Sequence, residues 1–272
     1  MTAVPSAGAP ADPGPVPSSR QGRALLDLIR VQARLRAPGG CPWDAEQTHI
    51  TLARHLLEET HELLEAIDAG DDGAIRDELG DVLLQVTFHA QIAADEHRFD
   101  IDDVAARLVD KLIHRHPHVF GEVEVADAGE VLVNWEKLKA EETGGRKGVD
   151  EDIPASLPAL ARASKVQRRA AGWGFRWASL EPAIAKLREE VDELDEAASD
   201  PELAERELGD VLLAAVTVAR MLDLDAESAL RRATTRFAER FERMAALAAE
   251  RGLDMEQLDE SDLLALFREA RT

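Results

Sequence analysis

One seven-residue sequence occurs twice without a change, and it constrains the fold more than any other feature of the chain. Residues 78–84 read Glu-Leu-Gly-Asp-Val-Leu-Leu, and residues 207–213 repeat all seven. Each copy follows a Glu-Glu-x-x-Glu block, at residues 58–62 and 189–193. The spacer between block and heptad is two residues shorter in the second copy, as a loop allows. A repeat that preserves the spacing of both carboxylates and apolar residues predicts a duplicated unit in which the acidic residues are functional.

Apolar residues recur at helical spacing in both halves, and turn residues separate the helical segments. The predicted helices span residues 23–35, 44 or 48 to 67, 74–95, 101–114, 158–171, 181–198, 202–222, 226–251 and 261–270. In the third of them, the predicted buried side consists of Leu79, Val82, Leu83, Val86 and Phe88. No segment alternates with period two between turn residues, so the sequence predicts an all-α fold.

The repeat predicts two tandem helical bundles of comparable size. We expect the first domain at residues 21–121 and the second at residues 157–272. Residues 1–20 are rich in Pro, Ala, Gly and Ser and predict a disordered tail without the features of a signal peptide. Residues 122–156 predict an exposed linker with a short helix around Trp135.

Composition restricts the partners of this chain. The formal net charge is −22 and the isoelectric point is near 4.7, so a nucleic acid or an anionic membrane is a poor partner. No apolar run approaches the length of a membrane span. Cys41 is the single cysteine, which excludes an intrachain disulfide and predicts a reducing compartment, the cytoplasm.

The spacing of the acidic residues predicts a shared face. Glutamates three or four residues apart lie on one side of a helix, so each Glu-Glu-x-x-Glu block faces the Glu-x-x-Asp of the next helix across a short loop. Several carboxylates in one cleft repel one another unless a cation neutralises them. A hard divalent cation with oxygen ligands, Mg²⁺ above all, is the natural neutraliser. A solvated face is the alternative for one block, and the duplication favours the metal site.

Other polar patterns leave alternatives open. The pairs Lys111/Arg115 and Arg236/Arg240 follow the acidic sets at matching distances, and they either bind phosphates or complete a helix dipole. Glu58-x-x-His61 matches a di-iron ligand spacing, but Asp192 replaces the histidine in the second copy.

Two further patterns allow a functional and a structural reading. A zinc site at His114, His116 and His118 is less favoured than a turn that ends the helix. The tryptophans at positions 43, 173 and 177 either stack on a nucleobase or pack in the core.

Taken together, these motifs resemble the MazG nucleoside triphosphate pyrophosphohydrolases over residues 23–271. The segments that carry the resemblance, besides the acidic sets, are Gly40-Cys41-Pro42-Trp43-Asp44, Arg115-His116-Pro117-His118-Val119-Phe120, Asn134-Trp135-Glu136, Gly174-Phe175-Arg176-Trp177 and Arg236-Phe237-x-x-Arg240-Phe241. The resemblance implies tandem all-α domains, a homodimer that forms the active sites, and Mg²⁺-dependent hydrolysis of a nucleoside triphosphate to monophosphate and pyrophosphate. Mn²⁺ is the expected substitute cation.

The resemblance also implies roles for particular residues. The implied metal ligands are Glu59, Glu62, Glu78 and Asp81 in the first domain and Glu190, Glu193, Glu207 and Asp210 in the second. Glu58 and Glu189 would hold a second metal or act as the base, and Arg236, Arg240, Lys111 and Arg115 would bind substrate phosphates. Leu203 and Phe267 stand near positions where the resemblance leads us to expect Lys and Trp.

The expected role is removal of non-standard, oxidised or excess nucleoside triphosphates. Two alternatives remain at this point. One is a noncatalytic dimeric scaffold or nucleotide sensor, and the other is a pyrimidine-specific enzyme of the dUTPase or dCTPase type, which shares the acidic pattern.

Overall fold

A computed structural model describes residues 22–127, 129–131, 134–135, 138 and 148–271. The predicted disordered tail lies outside the described residues. So does much of the predicted short helix around Trp135, although Trp135 itself is helical. The described residues form helices, turns and loops without a β-strand, which confirms the all-α prediction.

The chain divides into two compact units, residues 1–146 and 147–272. The helices of the first unit are α1 (Arg23–Arg36), α2 (Pro42–Glu46), α3 (His49–Ala69), α4 (Asp72–Asp95), α5 (Ile101–Arg115) and α6 (Pro117–Phe120). The helices of the second unit are α7 (Ala159–Gly172), α8 (Leu180–Ala197), α9 (Pro201–Met221), α10 (Ala226–Glu250) and α11 (Glu260–Glu269), with a 3₁₀ turn at Met255–Gln257. Within the described residues, no helix has the length and apolar character that a membrane span needs.

Local signals fix the α3–α4 hairpin that carries the first acidic set. The hydroxyl oxygen of Thr48 accepts a hydrogen bond from the backbone amide of Thr51. The hydroxyl oxygen of Thr51 accepts one from the backbone amide of Thr48, and the two bonds form a capping box at the start of α3. Gly70 ends α3 with a φ of 69°, a conformation that glycine adopts without strain. The carboxylate of Asp71 then caps α4. The two helices are thereby antiparallel neighbours.

The predicted buried side of α4 is only partly correct. Phe88 is buried with Leu52 and Ile92, but Leu79, Leu83 and Val86 are exposed in the single chain. Every buried residue of α4 lies between Gln85 and Ala93, because that half of the helix packs against α1 as well as α3. Leu79 and Leu83 of the repeated heptad therefore remain available to another surface, whereas Leu84 packs against the core.

The second unit extends further towards the N-terminus than the helical pattern predicts. Residues 148–156, predicted as part of the linker, contact α7. Arg162 forms an ion pair with Asp150 at 2.5 Å, and Arg169 donates to the backbone carbonyl of Gly148 at 3.1 Å. Ile153 is buried. These contacts attach the segment to the second unit.

Two stacked histidines join the start of α3 to the end of α4. Nδ1 of His49 lies 2.8 Å from Nδ1 of His89, and Arg98 lies 2.7 Å from Nε2 of His49. Because the arginine always donates, Nε2 of His49 accepts, and its Nδ1–H then donates to His89. In this arrangement Nδ1 of His89 accepts, which requires the neutral form of the His89 ring. Burial, and secondarily His49, lowers the pKa of His89.

We expect the first unit to lose stability as the pH falls below about 6.5. His89 has a lower pKa in the folded chain than the ordinary value of 6.5, so on acidification the unfolded chain binds a proton first. The free energy of unfolding is then highest above that pH and declines as the pH drops through the folded pKa. Urea titrations between pH 5 and 8 should show this slope, and His89→Gln should flatten it. An unchanged slope in that variant would contradict the assignment.

Candidate metal centres

The α3–α4 hairpin brings three carboxylates of the first acidic set together. Glu59 comes from α3, and Glu78 and Asp81 come from consecutive turns of α4. One oxygen of each residue lies within 4.8 Å of an oxygen of the other two. Glu78 and Asp81 share a face because they are three residues apart on one helix. We call this group the first cluster.

The first cluster carries uncompensated negative charge. Burial raises the pKa of Glu59, and the nearby charges of Asp81, Glu62 and Glu78 raise it further. Burial likewise raises the pKa of Glu78, with Glu62 and Asp81 adding to the effect. Oε2 of Glu78 is shielded from solvent and has no hydrogen-bond partner. An orphaned carboxylate oxygen is costly, so the group is suited to a cation.

The other two acids of the first set lie beside the cluster. Glu62 is close enough to raise the pKa of both Glu59 and Glu78, although it does not belong to the group within 4.8 Å. Glu58 is exposed and accepts from Nδ1 of His55 at 2.9 Å. Four of the five predicted acids are therefore electrostatically coupled, and the fifth lies at the solvent edge.

The α8–α9 hairpin forms a corresponding group, the second cluster, from Glu190, Glu193 and Glu207. Glu190 is buried, which is unusual for a carboxylate unless it is paired, and Lys186 pairs with it. A hydrogen bond with Glu190 raises the pKa of Glu193, and burial adds to the shift. Asp210 is exposed and lies outside this group, whereas its counterpart Asp81 is a member of the first cluster.

Sequence reasoning missed a lysine at the second cluster. Nζ of Lys186 lies 2.7 Å from Oε1 of Glu189 and 2.9 Å from Oε1 of Glu190. Hydrogen bonds to both glutamates raise the pKa of this lysine above its usual range. The signal was present in the sequence, because a lysine three and four residues before two glutamates on a helix faces both of them.

The predicted phosphate-binding residues have different surroundings. Lys111 and Arg236 are exposed. The guanidinium of Arg115 lies 5.3 Å from the ring centre of Trp135. Arg240 stacks on Phe267 at 3.8 Å and donates to its backbone carbonyl at 2.7 Å, which fastens α11 to α10. Phosphate binding by these four residues stays a prediction, and for Arg240 it would require release from α11.

The donor sets suit a hard divalent cation. In the described part of the chain, the groups of side chains close enough to share a metal consist of carboxylates alone, without a histidine. Di-iron and zinc sites use histidine, so neither alternative is favoured here. The rings of His116 and His118 contact one another at a tilt of 55°, and His116 also contacts Trp135. Oxygen-only donors with an orphaned carboxylate fit Mg²⁺ or a similar ion.

The tryptophans considered for base stacking lie at partly open positions. Trp43 is 53% exposed and contacts the edges of His55 and Phe88, so one side packs on the first unit. Trp173 and Trp177 are also exposed. Exposure leaves a stacking surface on all three.

Comparison with known proteins identifies the family of this chain. The sequence matches the MazG nucleotide pyrophosphohydrolase domain over residues 47–120 and 178–244. These two segments contain α3 with α4 and α8 with α9, the hairpins that carry the clusters. The chain belongs to the MazG nucleotide pyrophosphohydrolase family, as its motifs predicted.

Individual relatives cover most of the chain. The chain is 46% identical to the nucleoside triphosphate pyrophosphohydrolase of Escherichia coli (strain K12) over 239 residues, which is 85% of this chain and 91% of the relative. It is 46% identical to the nucleoside triphosphate pyrophosphohydrolase/pyrophosphatase MazG of Thermotoga maritima over 233 residues, 85% of this chain and 89% of the relative. A longer Bacillus subtilis protein, YabN, is 42% identical over 242 residues, 87% of this chain and 49% of that protein.

Proposed function

We propose that this protein hydrolyses nucleoside triphosphates to the monophosphate and pyrophosphate with Mg²⁺ as the cation. The observation that carries the proposal is the pair of carboxylate clusters, each with three oxygens within 4.8 Å, on the hairpins that match the family domain. Family membership supports the reaction class. The oxygen-only donor sets support Mg²⁺, with Mn²⁺ as a substitute.

The proposed chemistry assigns a task to each set of side chains. Bound Mg²⁺ would supply positive charge that offsets the triphosphate and polarises the attacking water. Glu59, Glu78 and Asp81 in the first unit, and Glu190, Glu193 and Glu207 in the second, would hold the cation. Glu62 and Asp210 lie beside these groups and would complete the sets. Arg236 and Lys111, whose side chains are exposed, would offset charge on the β and γ phosphates.

A carboxylate is the proposed general base. The attacking water forms a bond from its oxygen to the α-phosphorus while the bond to the bridging oxygen of pyrophosphate breaks, and a proton from the water passes to Glu189 or Glu58. Both residues are exposed and adjacent to a cluster member. All eight histidines lie between His49 and His118, so a base common to both repeats is not a histidine.

We also propose that two copies of the chain associate as a homodimer. The repeated heptad leaves Leu79 and Leu208 about half exposed, at 52% and 49%. These leucines flank the carboxylates on α4 and α9, so a second copy that covers them would also shield the clusters from water. Such a site would strengthen the electrostatic interactions inside it. A monomer in light scattering at assay concentration would contradict this proposal.

The decisive experiment is a pyrophosphate-release panel with purified protein and Mg²⁺. It should cover canonical, deaminated and oxidised nucleoside triphosphates. We expect release of pyrophosphate, not orthophosphate, from several of them. Glu78→Gln and Glu207→Gln, each made alone, assign the activity to one or both units. Nucleotide binding without turnover would instead indicate a noncatalytic sensor or scaffold, and strong preference for one pyrimidine would indicate the dUTPase or dCTPase type.

We further propose that the protein is located in the cytoplasm. Cys41 is the single cysteine of the sequence and is a free thiol in the structure. A free thiol and a substrate from the nucleotide pool both suit the reducing cytoplasm.

A further inference from the structure

The second cluster already contains a positive charge. Lys186 bridges Glu189 and Glu190, and Glu190 is both buried and a member of the cluster. The ammonium group lies 2.9 Å from Oε1 of Glu190. It therefore neutralises part of the charge that a divalent cation would neutralise.

The first cluster has no equivalent permanent charge at this position. His55 occupies the place that corresponds to Lys186, three residues before the pair of glutamates. His55 contacts Glu58 at 2.9 Å and accepts from Arg54 at 3.2 Å, and neither residue belongs to the first cluster. The ammonium of Lys186 therefore contacts a member of the second cluster, whereas the imidazole of His55 contacts a residue outside the first cluster. The two otherwise matched sites differ in whether a lysine is paired with a cluster carboxylate.

We propose that Lys186 is a resident counter-cation that weakens divalent-cation binding at the second cluster relative to the first. The proposal rests on the proposed function, since it takes both clusters as cation sites. A cation that binds Glu190 must either displace the ammonium or remain a few ångströms from it, and both cost binding free energy. The two sites therefore fill at different free cation concentrations.

The same charge has the opposite effect on an anionic ligand. A site of lower negative charge repels a triphosphate less, so a cation and a triphosphate that arrive together bind it at a smaller cost. Without nucleotide, the first cluster binds the cation more tightly, and the second cluster keeps its lysine bridge. This order follows from the exchange of His55 for Lys186 between the repeats.

The test measures Mn²⁺ binding directly, without nucleotide, from the electron paramagnetic resonance signal of free Mn²⁺. Glu78→Gln isolates the second site, and Glu207→Gln isolates the first. In the Glu78→Gln background, Lys186→Met should tighten Mn²⁺ binding about tenfold or more. Lys186→Arg, which keeps the charge, should leave the affinity near that of the background protein. In the Glu207→Gln background, His55→Lys should weaken Mn²⁺ binding about tenfold.

Each result has a definite meaning. Unchanged or weaker binding in Lys186→Met overturns the proposal, as does tighter binding in Lys186→Arg, because that would indicate a role in packing instead of charge. Helix content by circular dichroism checks the fold of each variant, and the His55→Lys exchange decides the question if Lys186→Met does not fold. Absence of Mn²⁺ binding in the wild type also overturns the proposal about Lys186. The pyrophosphate-release assay of the wild type then shows whether the proposed function fails as well.

Discussion

The double variant Glu78→Gln with Glu207→Gln is expected to lower the rate of pyrophosphate release by about 10³-fold or more. A metal ion contributes several kcal/mol of transition-state stabilisation in this kind of reaction, and 1.4 kcal/mol corresponds to about tenfold in rate. Each residue contributes an oxygen to one cluster. The amide keeps the size of the side chain but offers a weaker, neutral ligand.

The same double variant should lose activity but gain stability in the absence of metal. Burial and neighbouring acids raise the pKa of Glu78, so its ionised form is disfavoured in the folded chain without metal. A neutral glutamine removes that repulsion. Thermal unfolding in EDTA should therefore occur at a higher temperature for the variant than for the wild type, while added Mg²⁺ should stabilise only the wild type.

Glu65 and Glu196 provide the matched control. They occupy equivalent positions on α3 and α8, are exposed, and lie outside the clusters. Glu65→Gln with Glu196→Gln removes the same charge from the same helices and should retain most of the activity. If this control lost as much activity as the cluster variant, net charge and not cation binding would explain the loss. Full activity of the cluster variant would contradict the assignment of the sites.

Local sequence signals were sufficient to place most helices. Thr48, Asp71 and Asp200 cap helices as their positions suggest, and Gly70 ends α3. The sequence left open whether the second helix begins at Asp44 or at Thr48, and it did not reveal the separate short helix α2, which ends at Glu46 before α3 begins at His49. The break between α2 and α3 depends on a distant side chain, because Arg36 binds the backbone carbonyls of Asp44 and Gln47.

The sequence predicted which acidic residues form the candidate site, but it did not predict their detailed arrangement. Helical periodicity groups the carboxylates on facing sides of a hairpin, and the structure brings three of each set together. Periodicity does not determine which of the five acids approach most closely, since that depends on rotamers and on partners such as Lys186. It also did not separate the exposed Leu79 from the buried Phe88, because both lie at apolar positions of one helix and differ in what packs against them.

Arg36→Met is expected to lower the free energy of unfolding of the first unit by about 2 kcal/mol, the usual cost of leaving a part-buried acceptor without its hydrogen-bond partner. The side chain of Arg36 is 8% exposed and pairs with Asp95 at 2.7 Å. It also donates to the carbonyl of Asp44 at 2.5 Å and lies over the ring of Phe88. Methionine would leave the carboxylate and the carbonyl without this partner.

Arg30→Met tests whether the effect belongs to the buried contacts. Arg30 lies on the same helix and pairs with Asp27, but its side chain is 77% exposed, so its loss should cost at most about 1 kcal/mol. Hydrogen exchange should locate the change, with the ends of α1 and α4 and the start of α3 losing protection in Arg36→Met alone. Equal losses in both variants would mean that helix propensity, not the buried arginine, governs α1. Unaltered exchange in α8 and α9 is expected in either variant, because the partners of Arg36 named above belong to the first unit, and a loss of protection in α8 or α9 would contradict this expectation.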